Sequence, residues 1–189
     1  KLMTFETVGW HLSFDNVGEH YEYVRQGSNW QVFNNNLKIL GDAIGSIPNC
    51  KHYLKIMSVL NLLNITHLDT LKAFSKQIVS DYLPPRWPTE SIEIVWQPCL
   101  RPYEINVTKF GSDFVPAFKK SITNYLEQEI QDNESTFFKT ILEQLEGNMQ
   151  QTTSADQKER LSKWIQKNAQ YFNNKGAFDK LYPEFSRLI

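Results

Sequence analysis

Cysteine is scarce in this chain. Only Cys50 and Cys99 occur among 189 residues. Their spacing fits no metal motif, and a disulfide framework normally needs more of them, so they are expected to be ordinary thiols in a reducing cytoplasm. A basic excess is also missing, since the formal net charge is -1. That argues against a phosphate-binding surface and a nucleic-acid partner. No apolar run approaches the roughly 20 residues that cross a bilayer, so no membrane partner is expected. No basic, then apolar, then small-residue pattern opens the chain, which leaves no reading of a signal peptide. The four histidines are scattered, with no HExxH spacing and no close cysteine, so a zinc site is not expected. GxSxG, Walker-type and GxGxxG loops are absent. The chain begins at Lys1 rather than at a methionine, which leads to the expectation that further sequence precedes it.

What is present is enough for a real core: 41% hydrophobic residues and 13% aromatic. The length suits one domain, or one domain with an appendage. In residues 7–14, Trp10, Leu12 and Phe14 alternate with His11 and Ser13, which predicts a strand over Thr7–Ser13. Trp30, Phe33, Leu37, Leu40 and Ile44 recur at helical spacing and predict a helix over Asn29–Ile44, with Ser28 as its cap and Gly45 through Pro48 as its stop. A second strand over Tyr53–Leu60 is nearly all apolar, as a strand covered on both faces should be. A helix over His67–Ser80 follows, with Thr66 as cap. The prolines of the segment 83–88 exclude helix there. A third strand spans Ile92–Gln97. The remainder reads as helices over Phe114–Gln131 (Asp113 capping, Pro116 in the first turn), Ser135–Leu145 and Ala155–Phe172, then an apolar tail, Phe178–Leu188, expected to dock.

Strands alternating with helices imply an α/β fold with parallel strands and right-handed crossovers. Three such strands make a poor free-standing sheet, because parallel strands need cover and neighbours. The expectation is therefore an incomplete parallel (β/α) half-barrel of about three strands over residues 1–110, followed by an α-helical C-terminal extension over 111–189. The alternative is a chain complete as it stands, with the C-terminal helices covering the gap.

Side chains two apart on a strand share a face, so His11, Ser13 and Asp15 point together. At the C-terminal end of a barrel strand the inner face carries function. A carboxylate there suits a bidentate grip on vicinal hydroxyls. Equally, Asp15 reads as a cap for the next loop, with Ser13 a small filler. Arg25 is a candidate carboxylate clamp because its planar fork pairs with carboxylates; the local pattern by itself favours a pairing with Glu22 one turn away. Asn61 and Asn64, after the second strand, either line the barrel mouth or cap the following helix. Glu93, Val95 and Gln97 share a face of the third strand, so polar residues recur on what would be the inner face.

The run from Trp10 to Trp30, with Ser13-Phe-Asp15, Gly18-Glu-His-Tyr-Glu-Tyr-Val-Arg25 and a tryptophan opening the next helix, resembles radical SAM proteins of the SPASM/twitch group. Met57-Ser-Val-Leu-Asn61 is similar to that family's next strand, Ile92–Gln97 with Pro102-Tyr103 to the one after, and Phe178-Asp-Lys-Leu-Tyr-Pro-Glu-Phe185 to the ending of twitch members. The resemblance implies the fourth to sixth strands of a partial (β/α)6 barrel. It implies that Ser13, Asp15, Arg25, Val59 and Asn61 bind S-adenosylmethionine: Ser13 and Asp15 at the ribose, Arg25 at the methionine carboxylate, Val59 and Asn61 at the adenine. His11 and Gln97 are then expected to face substrate. The implied activity is reductive cleavage of the sulfonium to a 5′-deoxyadenosyl radical that abstracts hydrogen from a peptide or small-molecule substrate, with electrons from a reductase. The family's CxxxCxxC loop, which holds a 4Fe-4S cluster, is not in this sequence, nor are the auxiliary-cluster cysteines of SPASM domains. The cluster ligands are therefore expected in a preceding segment, and the chain alone is expected to be inactive.

Overall fold

The computed structural model of the chain describes residues 6–47, 50–85, 87, 92–128, 130–171 and 176–189. Pro48, Pro88 and Phe172, expected from the sequence as helix stops or ends, lie outside them. Three strands, β1 (Thr7–Ser13), β2 (Lys51–Leu60) and β3 (Ile92–Pro98), form one parallel sheet in the order β1-β2-β3. The register sets His11 beside Lys55 and Ser13 beside Met57, then Met57 beside Val95 and Val59 beside Gln97. The class is α/β.

The helices are α1 (Gly18–Val24), α2 (Trp30–Gly45), α3 (Leu68–Tyr82), α4 (Val115–Leu126), α5 (Asp132–Asn148), α6 (Ala155–Tyr171), α7 (Ala177–Leu181) and α8 (Pro183–Ser186). Several caps differ from expectation. Helix α2 is capped by Asn29, whose side chain accepts the Val32 N–H at 2.9 Å, and not by Ser28. Thr66 does not cap α3, because a 3-10 turn, Ile65–His67, precedes that helix. Asp113 does not cap α4; it accepts the backbone N–H of Thr153 at 3.0 Å and pairs with Lys158 at 2.7 Å. Helix α5 starts three residues before the expected Ser135, because Gln131 and Glu134 form a reciprocal capping box. Helix α1 was not expected at all: seven residues rich in polar side chains give little periodicity to read.

The helices pack on one face of the sheet. Phe14 of the β1 end is fully buried between Phe33 of α2 and Phe74 of α3, at centroid distances of 5.5 and 5.7 Å. Leu54, Ile56 and Leu60 of β2 and Ile94 of β3 are buried on the same side. Trp96 meets Tyr125 of α4 and Phe138 of α5. Each such side chain contributes about 1.5–3 kcal/mol of burial. Helices α2 and α3 approach closely at Gly41, where a Cβ would run into the Tyr82 carbonyl oxygen. One connected core runs from Phe14 to Phe185 and so spans both sides of residue 110.

The other face of the sheet is open. His11, Ser13, Tyr53 and Gln97 are exposed on it, and Lys55, Met57, Val59, Glu93 and Val95 are half-buried. This corrects the expectation that β2 is covered on both faces: only its even-numbered side is buried. Among the described residues the C-terminal helices do not cover this face. No helix among the described residues is long and apolar enough to cross a membrane.

Candidate functional site

In a parallel sheet all strand C-termini lie at one end, and the turns after them gather there. Here those turns are bonded into one unit. Asp15, 7% exposed, follows β1. Its Oδ1 accepts the Val59 N–H of β2 at 2.8 Å, and its Oδ2 accepts from Arg25 Nε at 3.2 Å. Arg25, at the end of α1, also donates from Nη2 to Ser13 Oγ at 2.7 Å. Arg25 therefore pairs with Asp15 rather than Glu22, which instead accepts the Trp30 N–H at 2.8 Å. The reason is reach: α1 ends at Val24 and returns its C-terminal residue over the β1 end.

Asparagines complete the unit. Asn61 accepts the Leu63 N–H on Oδ1 and donates from Nδ2 to the Val59 carbonyl, building an Asx turn. It is buried and makes this turn rather than capping a helix. Asn64 accepts the Asn61 N–H and donates to the carbonyls of Asp15 and Val59. Asn16 donates to the Leu63 carbonyl at 2.8 Å. Asn61 and Asn64 are expected from the sequence to line the barrel mouth or cap a helix, and Asn61 to border the adenine; the cross-loop bonds of Asn16 and Asn64, over separations of 47 and 49 positions, have no local signal.

Of the residues expected at a ligand, the structure brings Ser13, Asp15, Arg25 and Val59 into direct contact through these bonds. Ser13, His11 and Gln97 share the open face. His11 lies toward the middle of β1, its ring 6.5 Å from that of Tyr53. Both Asp15 oxygens are already engaged by protein groups, so the expected bidentate grip on a diol does not match this geometry. Asp15 here orients Arg25, and the groups offered outward are the Ser13 hydroxyl, the Arg25 guanidinium and the Gln97 amide.

Cys99 sits just past β3, 4% exposed. Burial and the nearby Asp15 charge push its thiol up to about 11, against a weak opposing bond to the Arg101 backbone. It stays protonated at neutral pH and is neither a nucleophile nor a ready metal ligand. Cys50 is half-buried at the opposite end of the sheet, before β2. Among the described residues no group of three or more His, Cys, Asp or Glu side chains is placed to hold a metal.

The C-terminal tail docks beside this end of the sheet. Tyr182 is fully buried, its ring 5.7 Å from Tyr23 of α1. Phe185 packs on Phe114 and Phe118. A hollow of about 440 Å³, lined by residues such as Glu22, Tyr23 and Leu181, lies between α1 and α7. Comparison of the chain with family models, with curated proteins and with solved structures finds no match.

Proposed function

We propose that this chain supplies the second half of the S-adenosylmethionine pocket of a radical SAM enzyme, as strands four to six of a partial (β/α)6 barrel with a twitch-like helical extension. The observation that carries the reading is the open face of a parallel sheet whose C-terminal end presents Ser13 and Arg25, locked together by Asp15. A parallel sheet is ordinarily covered on both sides. Here the bare side bears a hydroxyl, a guanidinium and an amide, which suits the lumen of a barrel holding a polar ligand. Ser13 fits a ribose hydroxyl and Arg25 a methionine carboxylate. Val59 lends its half-buried side chain to the adenine, while Asn61 shapes the turn beneath it.

The chain's own thiols do not fit a 4Fe-4S cluster: Cys50 and Cys99 lie at opposite ends of the sheet, and Cys99 is buried and protonated. In this reading the cluster ligands come from another segment, and the cluster supplies the electron that cleaves the sulfonium. This chain's residues bind and orient the nucleoside. The substrate is a peptide or small molecule entering over the open face past His11 and Gln97, and the electron donor is a cytoplasmic reductase.

The protein encoded by the complete reading frame, reconstituted anaerobically with iron and sulfide, is expected to show the absorbance of a four-iron cluster and to release 5′-deoxyadenosine from S-adenosylmethionine under reducing conditions. Absence of both would contradict the proposal. A second reading is a binding module of the same shape without cluster chemistry. The saturated Asp15 and the protonated Cys99 favour it, and a complete reading frame without a CxxxCxxC would establish it over the first.

A further inference from the structure

Two imidazoles face each other where the C-terminal tail meets the turns above the sheet. His20 of α1 and His67, which precedes α3, have ring centroids 4.2 Å apart. The ring of Tyr182 lies edge-on to both, at 5.2 and 5.8 Å. Hydrogen bonding assigns the tautomers. His20 Nε2 lies 3.1 Å from the Leu181 carbonyl, which can only accept, so Nε2 carries the proton. Thr66 has a single hydroxyl proton and gives it to Glu184 at 2.9 Å. His67 Nδ1, 3.2 Å from Thr66 Oγ1, must then be the donor of that contact. Each ring is thus satisfied while neutral. Neither His20 Nδ1 nor His67 Nε2 has a hydrogen-bond acceptor among the described residues.

We infer that His67, stacked on His20, is an acid-sensitive latch: the tail, α7 and α8, is docked while the His67 ring is neutral and is released when that ring takes up a proton. The added proton would place a charge on a half-buried ring, against the other imidazole and the buried Tyr182. The charged groups around the pair offer little relief. On the tail, Glu184 is exposed and occupied by Thr66, and Lys180 is held by Glu19 of α1. Asp179 acts on Tyr23 and is not among the groups acting on His67. Glu22 of α1 is engaged by the Trp30 N–H. Asp69 of α3 accepts from Gln128, and on α4, which packs against the His67 turn, Lys119 is paired with Glu146. The groups whose charge acts on His67 are His20, which opposes protonation, and Glu184, which favours it.

Burial is the larger effect on His67, and with His20 it brings that imidazole down to about 4 from the ordinary 6.5. The sign follows. A base whose pKa is depressed in the docked state favours docking fully above about pH 6.5 and progressively less as pH falls toward 4. After allowance for partial exposure, the docking equilibrium is expected to weaken on the order of tenfold between about pH 7.5 and 5. The latch lies outside the proposed nucleoside pocket and does not depend on that assignment.

Amide hydrogen exchange on the full-length protein tests it, corrected for the intrinsic pH dependence of exchange. The Tyr182, Phe185 and Ser186 amides, bonded within the tail, are expected to lose about tenfold in protection from pH 7.5 to 5, while β2 amides keep theirs. In His67→Gln the loss should shrink to about twofold or less. An equal loss in the variant, or none in the wild type, would overturn the latch. Where the variant tail is already undocked at pH 7.5, the NMR titration of the wild-type His67 ring decides: a midpoint a full unit or more below 6.5 supports the latch, and one near 6.5 rejects it.

Discussion

The Asp15 carboxylate reaches 44 positions along the chain to accept the Val59 N–H at 2.8 Å, and on its other oxygen it holds Arg25. One side chain thereby joins the end of β1 to the end of β2 and aims the guanidinium that bonds Ser13. Asp15→Ala leaves the part-buried Val59 N–H without its acceptor and the Arg25 cation without its counter-charge, and is expected to cost about 2–3 kcal/mol of stability. Arg25→Ala, at a half-exposed position, should cost about 1 kcal/mol. Urea denaturation of both variants checks the order.

A second buried carboxylate organises the helices. Glu134 accepts from Tyr125 Oη at 2.7 Å, Lys72 Nζ at 3.0 Å and the Gln131 N–H at 3.0 Å, and it is 1% exposed. It links α3, α4 and α5 beside Trp96. Glu134→Ala leaves the largely buried Lys72 ammonium without its counter-charge and is expected to cost about 3 kcal/mol. The double variant Glu134→Ala/Lys72→Met should recover part of that loss in the same denaturation assay.

Asp113 gives a pH dependence. Burial raises its pKa, but bonds from Lys158 and from the Thr153 side chain and backbone outweigh this and hold it at about 2. An acid with a depressed pKa stabilises the fold above its ordinary value and loses that contribution as pH falls through the folded value. The window is therefore about pH 4 down to 2. After discounting for solvent screening the contribution is about 1 kcal/mol. Asp113→Asn should flatten that part of the stability–pH curve measured by thermal unfolding.

The order of the strands and of the longer helices was legible in the sequence because alternation and helical spacing follow burial, whereas the short α1, α7 and α8 carry too few periods to read. β1 was readable to the residue, since Trp10, Leu12 and Phe14 all turn toward helices. The open face of β2 was not: Met57 and Val59 are apolar yet half-buried, so a strand with one bare face read as covered on both sides. Caps misread at Ser28, Thr66 and Asp113 share a cause. A neighbouring or distant partner outcompeted the local one, as Thr153 and Lys158 do for Asp113. The site was legible as residue types on one face. Its wiring was not, because the bonds from Asp15, Asn16 and Asn64 join loops far apart in the chain.

Cys99 supplies a chemical check. With its thiol near 11, its alkylation by iodoacetamide at about pH 8 should be on the order of a hundredfold slower than that of a free thiol, rising as pH climbs toward 11. The half-buried Cys50 should be labelled first. Peptide mass spectrometry over time distinguishes the two.

The central claim concerns the nucleoside pocket, and the affinity of the anaerobically reconstituted full protein for S-adenosylmethionine, measured by isothermal titration calorimetry, tests it most directly. The account predicts saturable binding that weakens about tenfold in Ser13→Ala, and more in Arg25→Ala, where a charge-assisted bond is lost. A flat titration with the unaltered protein, or undiminished affinity in both variants, would contradict it.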